Sequence, residues 1–404
     1  LVGTTASDTN DVAVATADGS ADDAGRLISA LSSASYLERE RATCELLKAK
    51  HVAVDELTGI AAGDSAESRT RAFQVLLELT RSTDDRIARV TRVAVEQLAR
   101  SPNRFIAERA RRILNWPRDY AVAVLQSRGA TFPGPGTLRL DKAKIDDSDM
   151  PLVARLTELH DITFNNQPIT DVGLAHISKL TDLRSLSLIN TRITNDGLKH
   201  ISGLSALENL FLRETAVSDA GLKHLSGLGA MRQLRLQGLD VTDAGLQHLA
   251  GLTELRLLFL EGTQIGDAGL AHLRDLKELE HLYMHDTEVT NAGLVHMQEF
   301  PELFAVSLDR TAVTDEGLKH FIGLPRFNRL YLSGCNITDA GLAYLGRIPT
   351  MSDMNLQHTK ITDAGLEYLK PLKRLARLGL PRDRLTVEAI ADLKKALPRA
   401  GDVY

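Results

Sequence analysis

A Gly-Leu pair recurs at Gly173, Gly197, Gly221, Gly245, Gly269, Gly293, Gly317, Gly341 and Gly365, each 24 residues after the last. No other feature constrains the fold as strongly. One unit of this length cannot bury its own apolar face, so the units must stack, and a stacked array is a solenoid rather than a globule. The register fades to Ala389-Ile390 at one end and to Asp149-Met150 at the other, where terminal capping units are expected.

Leu183, Leu186, Leu188, Thr191, Ile193, Gly197, Leu198 and Leu204 mark out the unit L-x-x-L-x-L-x-x-T-x-I-T-D-x-G-L-x-H-L-x-x-L. Leu186-x-Leu188 has the two-residue period of a strand, whereas Leu198, Ile201 and Leu204 recur at three, as on one face of a helical turn. Each unit is therefore predicted to hold one short strand and a turn or two of helix. The hydroxyl in Thr242-Asp243 and Ser218-Asp219 suits an N-cap, and the acid suits the positive start of the helix. Helical phase turns Gly173 inward, where a side chain would wedge the helix off the sheet. Parallel strands stack at ~4.8 Å and helices at ~8–10 Å, so the array is predicted to curve, with the strands on the concave side.

This unit resembles the leucine-rich repeat family, over roughly residues 138–398. That family commonly places Asn after the strand, to bond the neighbouring turn, but Thr191, Thr215, Thr263, Thr287, Thr311 and Thr359 stand there, and Leu239, Cys335 and Asp383 interrupt even that column. A hydroxyl bonds fewer groups than an amide, and at Leu239, Cys335 and Asp383, where even the hydroxyl is missing, a less uniform loop ladder is expected. Cys335 reads as a buried member of this column rather than a reactive thiol.

Residues 26–130 lack the repeat. Leu27, Leu31, Leu46 and Leu47, then Phe73, Leu76, Leu77 and Leu79, then Val95, Leu98, Ile106 and Ile113 show helical spacing, with breaks near Gly63-Asp64, Ser82 to Asp85 and Ser101-Pro102. The spacing resembles HEAT-type helical pairs. The predicted fold class is an α/β solenoid, a leucine-rich repeat arc with a parallel inner sheet and outer helices, preceded by a small all-α domain. The predicted divisions are an acidic flexible arm (1–25), a HEAT-like domain (26–118), a capping segment and linker (119–137), the solenoid (138–398) and a C-terminal tail (399–404). The arm carries Asp8, Asp11, Asp18, Asp22 and Asp23 with no cation before Arg26, a composition that favours disorder. Arg100, Arg104, Arg109, Arg111 and Arg112 belong to an arginine-rich stretch, read as solvated, partly paired helix faces; a site for an acidic partner, the arm included, is the sharper alternative.

A helical module followed by T-x-I-T-D-x-G-L-x-H-L repeats resembles the bacterial leucine-rich repeat proteins of planctomycetes. That resemblance implies a binding role outside the cytoplasm, in the periplasm or cell envelope, and names no ligand. The chain opens at Leu1 with small and acidic residues, so a processed start, with any export signal removed, is expected. The two cysteines form no disulfide framework, and no apolar run approaches a membrane span. A net charge of −5 argues against a nucleic-acid partner.

His176, His200, His224, His248, His272, His296 and His320 form a polar column continued by Tyr344 and Tyr368. Helices ~8–10 Å apart cannot close imidazoles round zinc at ~2.0–2.1 Å, so the column reads as structural, with no metal and no cofactor. G-x-S-x-G, P-loop and H-E-x-x-H patterns are missing, and no enzyme activity is predicted. The inner sheet is more informative. Its middle column reads Thr163, Ser187, Phe211, Arg235, Phe259, Tyr283, Ser307, Tyr331, Asn355, and beside it run Arg213, Gln237, Glu261 and His285. Aromatics and Arg are enriched at binding hot spots. Phe211, Arg213, Arg235, Phe259, Glu261, Tyr283, His285 and Tyr331 are therefore the predicted site for an unidentified protein or glycan partner. Stacking of the rings merely to cover the sheet is the plainer reading, and self-assembly of an envelope protein through the arm or the solenoid ends is the alternative function.

Overall fold

The computed structural model describes residues 26, 27, 30, 54–63, 66–80, 85–397 and 399–403. The acidic arm, Leu31, Leu46, Leu47, Cys44 and the break residues Asp64 and Ser82 to Asp84 lie outside the described residues. The chain divides into two compact units, Leu1–Tyr120 and Ala121–Tyr404.

The first unit is built on helices α1 (Val54–Ala62), α2 (Ala66–Thr80), α3 (Asp85–Leu98) and the start of α4 (Arg104–Ser127). Their buried residues follow the helical stripe: Leu57 and Ala61 on α1, Ala72, Phe73, Leu76 and Leu79 on α2, Val95 and Leu98 on α3, Ile106, Ala110 and Ile113 on α4. Gly63 ends α1, its amide donating to the Ile60 carbonyl at 3.0 Å. Asn103 starts α4, its side-chain oxygen accepting from the amide of Phe105 at 3.1 Å. Several arginines have local partners: Arg69 donates to the Gly63 carbonyl and lies over Phe105, Arg92 pairs with Glu96, Arg104 with Glu108, and Arg109 lies over Phe73.

The second unit carries one parallel sheet of twelve strands in sequence order: β1 (Thr137–Arg139), β2 (Asp161–Thr163), β3 (Ser185–Ser187), β4 (Asn209–Phe211), β5 (Gln233–Arg235), β6 (Leu257–Phe259), β7 (His281–Tyr283), β8 (Ala305–Ser307), β9 (Arg329–Tyr331), β10 (Asp353–Asn355), β11 (Arg377–Gly379) and β12 (Asp402–Val403). The middle residues of the strands, such as Leu186, Leu210, Leu234, Leu258 and Leu282, pair in register and are buried in one continuous core that runs from Ala121 to Leu397. Between strands lie helical turns of three to seven residues, and a longer helix, α5 (Val387–Ala396), precedes the last strand. Asp402 and Val403, within the segment read as a tail, thus extend the sheet. Ala121 and Leu125 on α4 and Ala130 beyond it join the solenoid core beside Leu138. No described helix is long and apolar enough to cross a membrane.

The T-D-x-G corner differs from its sequence reading. Thr170, Thr242 and Thr338 do cap the following turn, accepting from the amides of Val172, Ala244 and Ala340. The acid stands in the first turn of its own helix, and its carboxylate also reaches on to the next unit. Asp147, Asp171, Asp219, Asp267, Asp315, Asp339 and Asp363 each accept from the backbone amide of the Thr 23 residues on, at 2.8–2.9 Å, and from its hydroxyl. Asn195 and Asn291 keep the amide bond and donate to the hydroxyl through Nδ2, and Asp243 accepts from the amide of Gly266. This rung explains the glycine. A Cβ at Gly245 would lie 2.2 Å from Oδ1 of Asp219, so the side chain that glycine avoids is the preceding unit's acid, not the sheet. In the first unit of the array, which has no acid before it, Asp149 takes the glycine's place, buried and paired with Arg128 at 2.9 Å.

The hydroxyls of the threonine column stay within their own units. Thr191, Thr215, Thr263, Thr287, Thr311 and Thr359 donate to the carbonyl three residues back in their own unit, at 2.6–2.7 Å, and so hold the turn after the strand. Cys335 is buried and donates across to the carbonyl of Leu308 at 3.0 Å; burial pushes its thiol up. Just before this column the backbone turns left-handed in every unit from Asn166 to His358, at Asn166, Asn190, Glu214, Gly238, Gly262, Asp286, Arg310, Gly334 and His358.

Candidate functional site

The first and third residues of each three-residue strand leave the middle apolar residue to the core and line the opposite face of the sheet. Register sets the third residues side by side: Phe211 beside Arg235, Arg235 beside Phe259, Phe259 beside Tyr283. These four make one stack. The Arg235 guanidinium lies between two rings, 5.2 Å from the centroid of Phe211 and 4.4 Å from that of Phe259, and the Phe259 and Tyr283 rings stack at 4.8 Å with planes 16° apart. All four side chains are half-buried, so they cover one another and still present area to solvent. Ser307 is buried and breaks the column.

Tyr331 lies beyond that break. Its hydroxyl donates to Asp353 at 3.2 Å, and burial first, then the Asp353 charge, push its phenol up to about 12. The first strand positions, Gln233, Leu257, His281 and Arg329 in the sequence pattern, supply a second row: His281 tilts against Phe304 at 5.5 Å, Arg329 lies over Phe304 at 5.2 Å, and His281 Nδ1 is 3.2 Å from the Tyr283 hydroxyl. Phe304 was hidden because it stands one position before β8, outside any column of strand residues.

Arg213, Glu261 and His285 come together elsewhere, in a depression of about 440 Å³ beside the strand ends, lined also by Glu214, Gln237, Gly238, Gly262 and Asp286. Two ion pairs flank it: Arg213 with Glu214 at 2.8 Å, and Arg310 with Asp286, whose carboxyl that bond holds low. Glu261 has no such cation. Its Oε2 is buried and lacks a hydrogen-bond partner, as does Oε1 of Gln237. Desolvation raises the Glu261 carboxyl to about 7, against the opposing pull of Arg235 and Arg213. Burial also lowers His281 and His285. A separate depression of about 470 Å³ in the helical unit is lined by Phe73, Leu77, Phe105, Arg109 and Ile113, and by none of the sequence-predicted site residues.

In the histidine column, His200, His224, His248, His296 and His320 are half-buried, and burial lowers His224 and His320. Among the described residues no group of three or more His, Cys, Asp or Glu is placed to hold a metal ion.

Residues 327–346 match the family described as Leucine Rich repeat. They span β9, the threonine-column residue Cys335 and the T-D-x-G turn at Thr338 to Gly341. The second unit has the fold of a leucine-rich repeat solenoid. Solved structures similar to it include the following three. An internalin, InlF, from Listeria monocytogenes is 19% identical, with 69% of this chain and 92% of that one covered and a TM-score of 0.49. The plant peptide hormone receptor RGFR1 in complex with RGF2 is 14% identical over 61% of this chain and 44% of the receptor, TM-score 0.41. A TDR receptor is 15% identical over 60% of this chain and 43% of the receptor, TM-score 0.42. The chain thus spans less than half of either receptor chain. The curated proteins include no match.

Proposed function

We propose that this protein is a non-catalytic binding module that captures a protein partner on the open face of its leucine-rich repeat sheet, centred on Phe211, Arg235, Phe259 and Tyr283. The observation that carries the reading is the half-buried stack in which Arg235 lies between Phe211 and Phe259. Rings and a guanidinium fixed against one another lose little freedom when a partner covers them, so their remaining area is available for contact at low entropic cost. Folding alone does not call for them: Thr163, Ser187 and Ser307 hold the same strand position elsewhere in the sheet.

The internalin and receptor likenesses concern the fold, and the partner is inferred from the surface. The setting outside the cytoplasm implied by the planctomycete-type resemblance belongs to the same proposal, as do residues 26–118 as a separate helical domain and 119–137 as the cap of the array. A pull-down from the native envelope fraction tests the reading. Phe259→Ala/Tyr283→Ala should lose the captured protein while keeping its thermal midpoint within a few degrees of the parent. Capture that survives the double substitution overturns the site, and capture that survives protease treatment of the fraction points to a glycan instead.

A further inference from the structure

The left-handed position after each strand carries a side chain in most units, from Asn166 to His358, but Gly238 and Gly262 stand there in two successive units. A Cβ at Gly238 would meet nothing within 4 Å, and one at Gly262 only Gly238. The missing side chains open a notch, with Arg213 and Glu214 on one wall and His285 and Asp286 on the other. The nearby cations are engaged: Arg213 with Glu214, Arg310 with Asp286, and Arg235 between its two rings. What remains in the notch is two buried acceptors without donors, Oε2 of Glu261 and Oε1 of Gln237, on neighbouring units. Buried polar atoms without partners cost free energy that a ligand's donors recover.

We propose that this notch accepts an arginine side chain of the partner protein, with its guanidinium donating to Glu261 and Gln237. The inference rests on the protein-binding reading above. Two acceptors on neighbouring units, just beyond strands that stack ~4.8 Å apart, suit the planar donor fork of a guanidinium better than the compact point charge of an ammonium. The groups facing Glu261 are Arg213, Arg235, Tyr283 and, across the notch, His285 and Asp286. Burial raises Glu261 to about 7 and lowers His285, so around neutrality the acid is the group that changes charge most sharply.

The probe is N-acetyl-arginine amide, titrated into the full chain by NMR or calorimetry, with the citrulline amide as its neutral isostere. The arginine probe should bind and the citrulline probe should not. The competent state is the ionised acid, about nine-tenths populated one pH unit above its midpoint and one-tenth a unit below. The dissociation constant should therefore rise about tenfold from pH 8 to pH 6. Glu261→Gln, which keeps the shape, should abolish binding with the protein still folded by circular dichroism. Equal binding of both probes, a dissociation constant unchanged between pH 6 and 8, or full binding by Glu261→Gln overturns the proposal. The assay needs no partner protein. Arginine binding without protein capture sinks the protein-binding reading, and capture without arginine binding sinks the notch.

Discussion

Gly245 stands where a methyl group would lie 2.2 Å from Oδ1 of Asp219 and 3.1 Å from a methyl of Leu222. Gly245→Ala should cost about 1–3 kcal/mol in urea unfolding, the range for overpacking a filled site. Asp219→Ala alone should cost a similar amount, by stranding the amide of Thr242. Because both changes act on one contact, the double variant should be more stable than the sum of the two losses predicts; additive losses would show that the acid is not what excludes the methyl. Glu261 supplies a second prediction. Its carboxyl is raised in the folded chain from 4.5 to about 7, so its contribution is fully present below pH 4.5 and is lost as pH rises through 7. The thermal midpoint of the parent should fall over that window relative to Glu261→Gln, and parallel curves would refute the shift. Both positions were conspicuous in the sequence, Gly245 as a repeat marker and Glu261 as a member of a column. Their reasons were not, because the acid that explains the glycine lies 26 residues earlier, in the preceding unit, and periodicity reveals positions without revealing vertical contacts.

At the scale of elements, strands and helical turns were legible from Leu-x-Leu alternation and three-residue spacing, because each unit buries one middle strand residue and one face of a turn. The turn joining them was not. Its left-handed residue varies among Asn, Glu, Gly, Asp, Arg and His, which hides a conformation shared by every unit from Asn166 to His358. That variation yields a prediction. Asn166 and Asn190 hold this conformation in their own units, so Gly262→Asn should cost only a few tenths of a kcal/mol, whereas Gly262→Val, with a β-branched side chain at φ +68°, should cost about 1–2 kcal/mol. Thermal unfolding measures both. The Asn side chain would also fill the notch, so Gly262→Asn should weaken N-acetyl-arginine amide binding with little loss of stability. Equal destabilisation by Asn and Val would mean that the turn is not set by the left-handed backbone.

In the whole molecule, the solenoid's contacts are made between neighbouring units: strands pair with a uniform 24-residue offset from β1 to β11, and each acid reaches one unit forward. Stability should then be close to a sum of unit and interface terms, as in other stacked repeats. Deleting residues 293–316 removes one unit with its glycine, strand and acid, and joins Ala292 to Gly317 in register. Asn291 would then face the amide of Thr338, where it now bonds that of Thr314, and Leu330 would pair beside Leu282. This chain should remain soluble and cooperative, with the urea m-value lower by roughly a tenth, in proportion to the surface removed. Deleting residues 293–315 instead leaves every following residue one place out of step. Leu330 would then shift from the core face to the open face beside β7, and the rung from Asn291 to Thr338 would be lost at the junction, while Asp339–Thr362 and Asp363–Thr386 keep their spacing. The one-residue difference should separate a protein with a single cooperative transition from one whose array is broken at the junction and unfolds at lower urea or in two steps. If the two deletions unfold alike, the array is not held by unit-to-unit register, and the assignment of the Asp-to-Thr rungs as its ties fails with it.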